Sequence, residues 1–202
     1  MDTKALFNIG YGLYVLTTNY DNIDNGCIVN TVIQVTSNPL QVSVTVNKGN
    51  YTHDLIKDSC VFNVSMLTTE TPMKVFEHFG FQSGRDTDKT VGISFKRSAN
   101  GVVYLDSPEV NAYISGKVTE TIDLGTHTLF IADVTDGEVM TGDASATYAY
   151  YFAHIKPAPE AKQESKKGWI CTICGYIYEG EELPADFICP VCKHPASDFK
   201  KL

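Results

Sequence analysis

The clearest chemistry in the sequence lies near its C-terminal end, in CTICGYIYEGEELPADFICPVC, residues 171–192. Cys171 and Cys174 form one Cys-x-x-Cys pair, Cys189 and Cys192 another. Paired in this way at short separation, cysteines read as a metal site rather than as disulfides. Four thiolates converging on one ion select zinc or iron in a tetrahedral arrangement. Each pair predicts a tight turn with both sulfurs on one side, leaving backbone N–H groups free to point at them. Gly175, directly after the second ligand, suits such a turn because it has no Cβ to oppose positive φ. Spacing alone leaves the metal open, with a zinc ribbon as one reading and an iron centre as the other.

The residues around the ligands favour iron. Trp169-Ile170-Cys171, Cys174-Gly175-Tyr176, Tyr178, Cys189-Pro190, Cys192 and the closing Asp198-Phe199 together resemble rubredoxin over residues 168–202. The resemblance implies one iron held by the four cysteines, with zinc the alternative. Two departures stand out. The segment between the pairs is shorter than in free-standing rubredoxins, as in rubredoxin domains attached to larger redox proteins. Lys193 occupies a position where a second glycine is usual, so it would have to adopt the left-handed conformation at some cost. A piece of about 35 residues buries too little apolar surface to fold alone, so the metal is expected to staple it.

A second place for chemistry is NKGNYTHDLI, residues 47–56. A strand ends here, Lys48 and Gly49 turn the chain, and Asn50 is placed to cap a helix starting at Tyr51. Free N–H groups at a helix start, with Lys48, Asn50 and Thr52 around them, suit a phosphate; a plain capped helix is the structural alternative. The elements that must position this turn are mostly strands: Leu13–Thr18, Cys27–Thr36, Gln41–Asn47, Cys60–Leu67, Val102–Leu105, Val110–Ile122 and His127–Asp136, rich in Val, Ile, Thr and Tyr. Short helices are predicted at Tyr51–Asp58, at Pro72–Phe79 with Thr71 as cap, and near Tyr148–Ala153. Turn chemistry falls at DNIDNG, SNP, SANG and DLGT. Many strands with few helices predict a mainly β chain closed into a barrel.

Taken in order, GCIVNTVIQVTSNPLQVSVTVNKGNYTHDLI, EHFGFQSGRDTDK and the ending ATYAYYFAH are similar to the flavin reductase-like family of FMN-binding split barrels, which includes flavoredoxins. The similarity runs across residues 5–155. It implies bound FMN, with Ile28, Val29, Asn30 and Thr31 along the flavin ring and ribityl chain and Asn47, Lys48, Asn50 and Thr52 around the phosphate. Cys27 is placed to approach the flavin, or to be a core thiol like Cys60. His53 is a further contact or an exposed first-turn residue. Ser83 and Arg85, in SGRD, are placed to close over the cofactor or meet nucleotide phosphates, or to form a plain turn. Such barrels are typically dimers, which implies a homodimer.

Composition bounds the rest. Residues 1–155 carry 9 basic and 17 acidic side chains, and residues 156–202 carry 7 of each. A net acidic chain without a basic stripe argues against nucleic acid. No apolar run spans a bilayer and the first ten residues lack a signal-like pattern, so a cytoplasmic protein is expected. KPAPEAKQESKK, residues 156–167, has the composition of a linker. Glu179, Glu181, Glu182 and Asp186 leave the small domain acidic between Trp169 and Cys192, either as a solvated loop or as a docking face for a redox partner.

The fusion resembles the high molecular weight rubredoxins, which implies an NAD(P)H-dependent electron carrier. FMN takes a hydride and passes single electrons to iron, and iron reduces an external acceptor such as a flavo-diiron protein. Two alternatives remain at this level: a flavin reductase releasing reduced FMN, and an FMN-binding protein whose zinc ribbon docks a partner.

Overall fold

The computed structural model describes residues 2–157 and 168–202, in two compact units, Met1–Lys156 and Pro157–Leu202. The segment 156–167, expected as a linker, falls almost entirely on residues 158–167, outside the described residues.

In the first unit, β1 (Tyr14–Tyr20), β2 (Ile23–Val29), β3 (Ile33–Ser37), β4 (Leu40–Asn47) and β5 (Val61–Leu67) are followed by β6 (Phe95–Arg97), β7 (Val103–Leu105), β8 (Val110–Asp123) and β9 (His127–Val139). Seven of them form one sheet in the order β2-β1-β5-β8-β9-β4-β3, antiparallel throughout. β6 and β7 form a separate hairpin. It is tied to the sheet by buried polar side chains: Asn63 Nδ2 donates to Val102 O at 2.9 Å, and Ser65 Oγ accepts from Leu105 N at 3.1 Å. The β1–β2 hairpin turns on Asp21 and Asn22, both at positive φ, as a tight two-residue turn with right-handed strand twist requires.

Two expectations about this sheet change. The apolar run Cys27–Thr36 is two strands rather than one, interrupted at Asn30, Thr31 and Val32. Those three residues carry the chain from one end of the sheet to the other. The barrel is also not closed by a continuous ladder, since β2 and β3 are the sheet's two ends. Side chains draw these ends together instead. Thr31 Oγ1 donates to Thr45 O at 2.8 Å and accepts from Thr45 N at 3.2 Å. Leu16 and Val29 from one end meet Val42, Val44 and Val46 from the other in a single core with Phe62 and Phe130. The result is a split barrel.

Helix α1 (Tyr51–Ser59) buries Ile56 in that core. Helix α2 (Met73–Gly80) packs Phe76 and Phe79 in a second core with Leu13, Val15, Leu67 and Tyr151. Its cap is not Thr71, whose hydroxyl donates to Glu109 O at 3.1 Å; Pro72 is the extended residue before the first turn. A last short helix, α3 (Tyr148–Tyr150), starts where Thr147 Oγ1 accepts from Tyr150 N, and it continues as a π-turn over Tyr151–Ile155.

The second unit is a three-stranded sheet in the order β11 (Ile177–Tyr178), β10 (Trp169–Cys171), β12 (Phe199–Lys201). Cys171, Cys189 and Phe199 form its buried centre, with Trp169, Tyr176, Tyr178 and Phe187 packed against them. The two Cys-x-x-Cys turns repeat one backbone pattern. Cys171 N donates to Tyr176 O and Gly175 N to Cys171 O; Cys189 N donates to His194 O and Lys193 N to Cys189 O. Gly175 has φ 81 and Lys193 φ 61, so the lysine takes the left-handed conformation expected of it.

Two stability predictions follow from the packing. A Cβ on Gly116 would lie 2.5 Å from the ring of Phe62, which is fully buried. Gly116→Ala is therefore expected to cost about 1–3 kcal/mol in urea unfolding of the full chain. Lys193→Gly is expected to stabilise the second unit by up to about 1 kcal/mol, because relief of left-handed strain exceeds the added freedom of the unfolded chain. Lys193→Ala, which keeps the strain, should show no such gain in the same melt.

Candidate functional site

Each Cys-x-x-Cys turn presents one buried and one half-buried sulfur. Cys171 and Cys189 are sealed at 1% and 0% exposure, while Cys174 and Cys192 are partly open. The Sγ atoms of Cys171 and Cys192 lie 3.5 Å apart, as do those of Cys174 and Cys189, and all four lie within 4.8 Å of one another. An ion holding four sulfurs at about 2.3 Å in tetrahedral geometry would set them about 3.8 Å apart.

The surrounding charge points the same way. Burial pushes the Cys171 thiol up, against backbone N–H groups of Cys174 and Ile173 directed at its sulfur. Hydrogen bonding with Cys192 and then burial push the Cys174 thiol up, against the N–H of Tyr176. Four crowded sulfurs can all be thiolates when a cation sits among them, and the N–H groups then stabilise their negative charge. The residues fit a metal with four-cysteine ligation.

In the first unit, β4 ends at Asn47, whose Oδ1 accepts from Gly49 N at 2.8 Å and so fixes the turn into α1. Asn50 stands at the cap position in an extended conformation, but its side chain makes no capping bond. Burial dominates the Cys27 environment and pushes its thiol up, opposed by hydrogen bonds from Thr52 and Asn50 and by the charge of Lys89.

Several expected contacts are engaged with protein groups. Lys48 Nζ binds Asp123 Oδ1 at 2.6 Å on the surface. His53 is neither exposed nor free: at 5% exposure, its Nδ1 meets Asp54 Oδ1 at 2.9 Å and its Nε2 meets Thr128 Oγ1 at 2.8 Å, with the ring against Phe130. Thr31 spends its hydroxyl on Thr45. Cys60, expected in the core, is exposed at the left-handed end of α1. Cys27 is buried as a core thiol would be.

The 83–86 loop is brought to the start of α1. Ser83 Oγ accepts from Arg85 N at 3.2 Å, and Arg85 binds the Asp54 carboxylate and lies 4.8 Å from the centre of the Tyr51 ring. Partial burial works against ionisation of Asp54, but hydrogen bonds from His53 and Arg85 and the arginine charge hold it below the usual carboxylate range.

Ile28, Asn30 and Thr31 lead away from Cys27 toward an apolar cavity of about 300 Å³ at the opposite end of β4, bordered by Tyr14, Val32, Gln34, Val42, Ile114 and Val134. Burial raises the Tyr14 hydroxyl above its usual range. From Val42 to Asn47 an extended strand covers about 16 Å. Sequence reasoning did not find Lys89, Asp54 or Thr128, which lie in polar stretches that look solvent-facing until the fold buries or pairs them.

Residues 6–159 match the flavin reductase like domain, and residues 169–200 match the rubredoxin-like domain of rubrerythrin. The chain is 36% identical to a high molecular weight rubredoxin of Moorella thermoacetica, with all of both chains covered. It is 41% identical to a ferric-chelate reductase (NAD(P)H) of Archaeoglobus fulgidus over 75% of this chain and 89% of that one. The flavoredoxin of Methanosarcina acetivorans shares the fold, with a TM-score of 0.60 and 21% identity over 65% of this chain and 69% of that one. A flavin reductase like domain implies a flavin, and the four-cysteine domain implies a metal. With a family model covering the barrel and a relative matched from end to end, the chain belongs to the flavin reductase like family, in the two-domain form of the high molecular weight rubredoxins.

Proposed function

We propose that the chain is a cytoplasmic, homodimeric electron-transfer protein that oxidises NADH or NADPH through FMN and delivers electrons singly, through iron, to an acceptor such as a flavo-diiron protein. Residues 1–155 are assigned to the flavin, 156–167 to the connection and 168–202 to the iron. The observation that carries this reading is the pairing in one chain of a flavin reductase like barrel with four convergent cysteines. Bound in these places, FMN exchanges two electrons as a hydride or one at a time, and iron on four thiolates exchanges one.

The protein's own groups hold and tune. In this reading Asn50 and Thr52, at the start of α1, take the phosphate, with Asn47 shaping the turn and Arg85 close by. Ile28, Val29, Asn30 and Thr31 flank the ribityl chain and ring, and the apolar cavity shelters the flat, apolar end. Neither hydride transfer nor electron transfer requires a side-chain acid or base, so no residue is assigned a catalytic proton. Cys171, Cys174, Cys189 and Cys192 hold the iron, and the N–H groups aimed at the Cys171 and Cys174 sulfurs favour its reduced, more negative form. Among the described residues no helix is long and apolar enough to cross a membrane.

Two measurements test the reading. Protein made with adequate iron and mixed anaerobically with NADH or NADPH should lose both its flavin and its iron absorbance. Bleaching of flavin alone would remove the internal relay, and a colourless chain holding one zinc would remove electron carriage altogether. Cys189→Ser should lose the bound metal, whereas Cys27→Ser and Cys60→Ser should keep it in full by elemental analysis.

A further inference from the structure

Lys89 is a buried cation with only carbonyls for partners. It is 4% exposed, and its ammonium donates to Gly26 O at 3.0 Å and Phe79 O at 2.9 Å. Among the described residues, no carboxylate forms a salt bridge with it. A buried ammonium is costly without an anion nearby. The last-turn carbonyl of α2 offsets part of that cost, as carbonyls at a helix C-terminus do for cations.

Its surroundings lead to the start of α1. Gly26, whose carbonyl it binds, adjoins Cys27 on β2, and Cys27 packs in one core with Ile56 of α1. Asn25, 4% exposed, donates nothing through its Nδ2 in the described structure, while its Oδ1 accepts from Gly26 N at 2.8 Å. The other cations of this neighbourhood are already neutralised at the surface, Lys48 by Asp123 and Arg85 by Asp54. Surface charges are screened by salt and water, whereas a charge held in the interior acts over several ångströms.

We propose that Lys89 is the countercharge for the flavin phosphate and sets the preference for a phosphorylated over an unphosphorylated flavin, a role the sequence suggests for Lys48. This rests on the reading that the start of α1 takes the phosphate. Lys89 acts from the interior, where the carbonyls of Gly26 and Phe79 hold its ammonium in place. The anion it favours is a phosphate monoester.

The test compares the affinities of the flavin-free full chain for FMN and riboflavin by fluorescence quenching, in the wild type and in Lys89→Met and Lys48→Met. The wild type should prefer FMN by about tenfold or more. Lys89→Met should lose most of that preference while its riboflavin affinity stays within about twofold, and Lys48→Met should largely keep the preference. A wild type without preference would overturn the phosphate reading itself. A preference that survives Lys89→Met would overturn only the role of Lys89. Parallel loss of both ligands would also overturn it, by showing that the lysine merely props the fold. Should Lys89→Met fail to fold, Lys89→Gln removes the charge while keeping an N–H donor, and the same ratio decides.

Discussion

A sheet of seven strands whose two end strands share no ladder must be closed by side chains, and the exchange between Thr31 and the backbone of Thr45 does this. The crossing at Asn30–Val32 is where the chain leaves one end of the sheet and enters the other, so its backbone cannot be part of a regular strand. That irregularity brings Cys27 beside the start of α1 on one side of the crossing and Val32 beside the apolar cavity on the other. Closure therefore rests on one hydroxyl and on apolar packing rather than on a continuous ladder.

The metal site was almost fully legible in the sequence. Its four convergent cysteines come in two local turns, and each turn's geometry is set within a few residues, so spacing carries the information. Even the awkward Lys193 could be placed in the left-handed region before its φ was known. The flavin side was legible as a family pattern and as a turn between strand and helix, but not as a set of contacts. Asn50 sits at the expected cap position, yet its side chain makes no capping bond. His53 looked like a surface residue because its neighbours are polar; Thr128 on β9 and Asp54 bury and fix it. Lys89 lies in a run of polar residues with nothing local to mark it as interior.

The strand pattern was lost in the same way. Alternation identified β4 and β8, where one face is in the core. It merged β2 with β3, since the break between them comes from the topology of the sheet rather than from any proline or glycine at the junction. β6 was missed because Phe95–Arg97 is short and its burial is supplied by a neighbouring hairpin strand.

The unequal burial of the four sulfurs gives the small domain a direction. Cys171 and Cys189 are closed off by Phe199 and the aromatic cluster, so an ion among the four is nearest to solvent along the Cys174 and Cys192 edge. An electron passing to or from an ion held there has its shortest way to the surface through those two sulfurs.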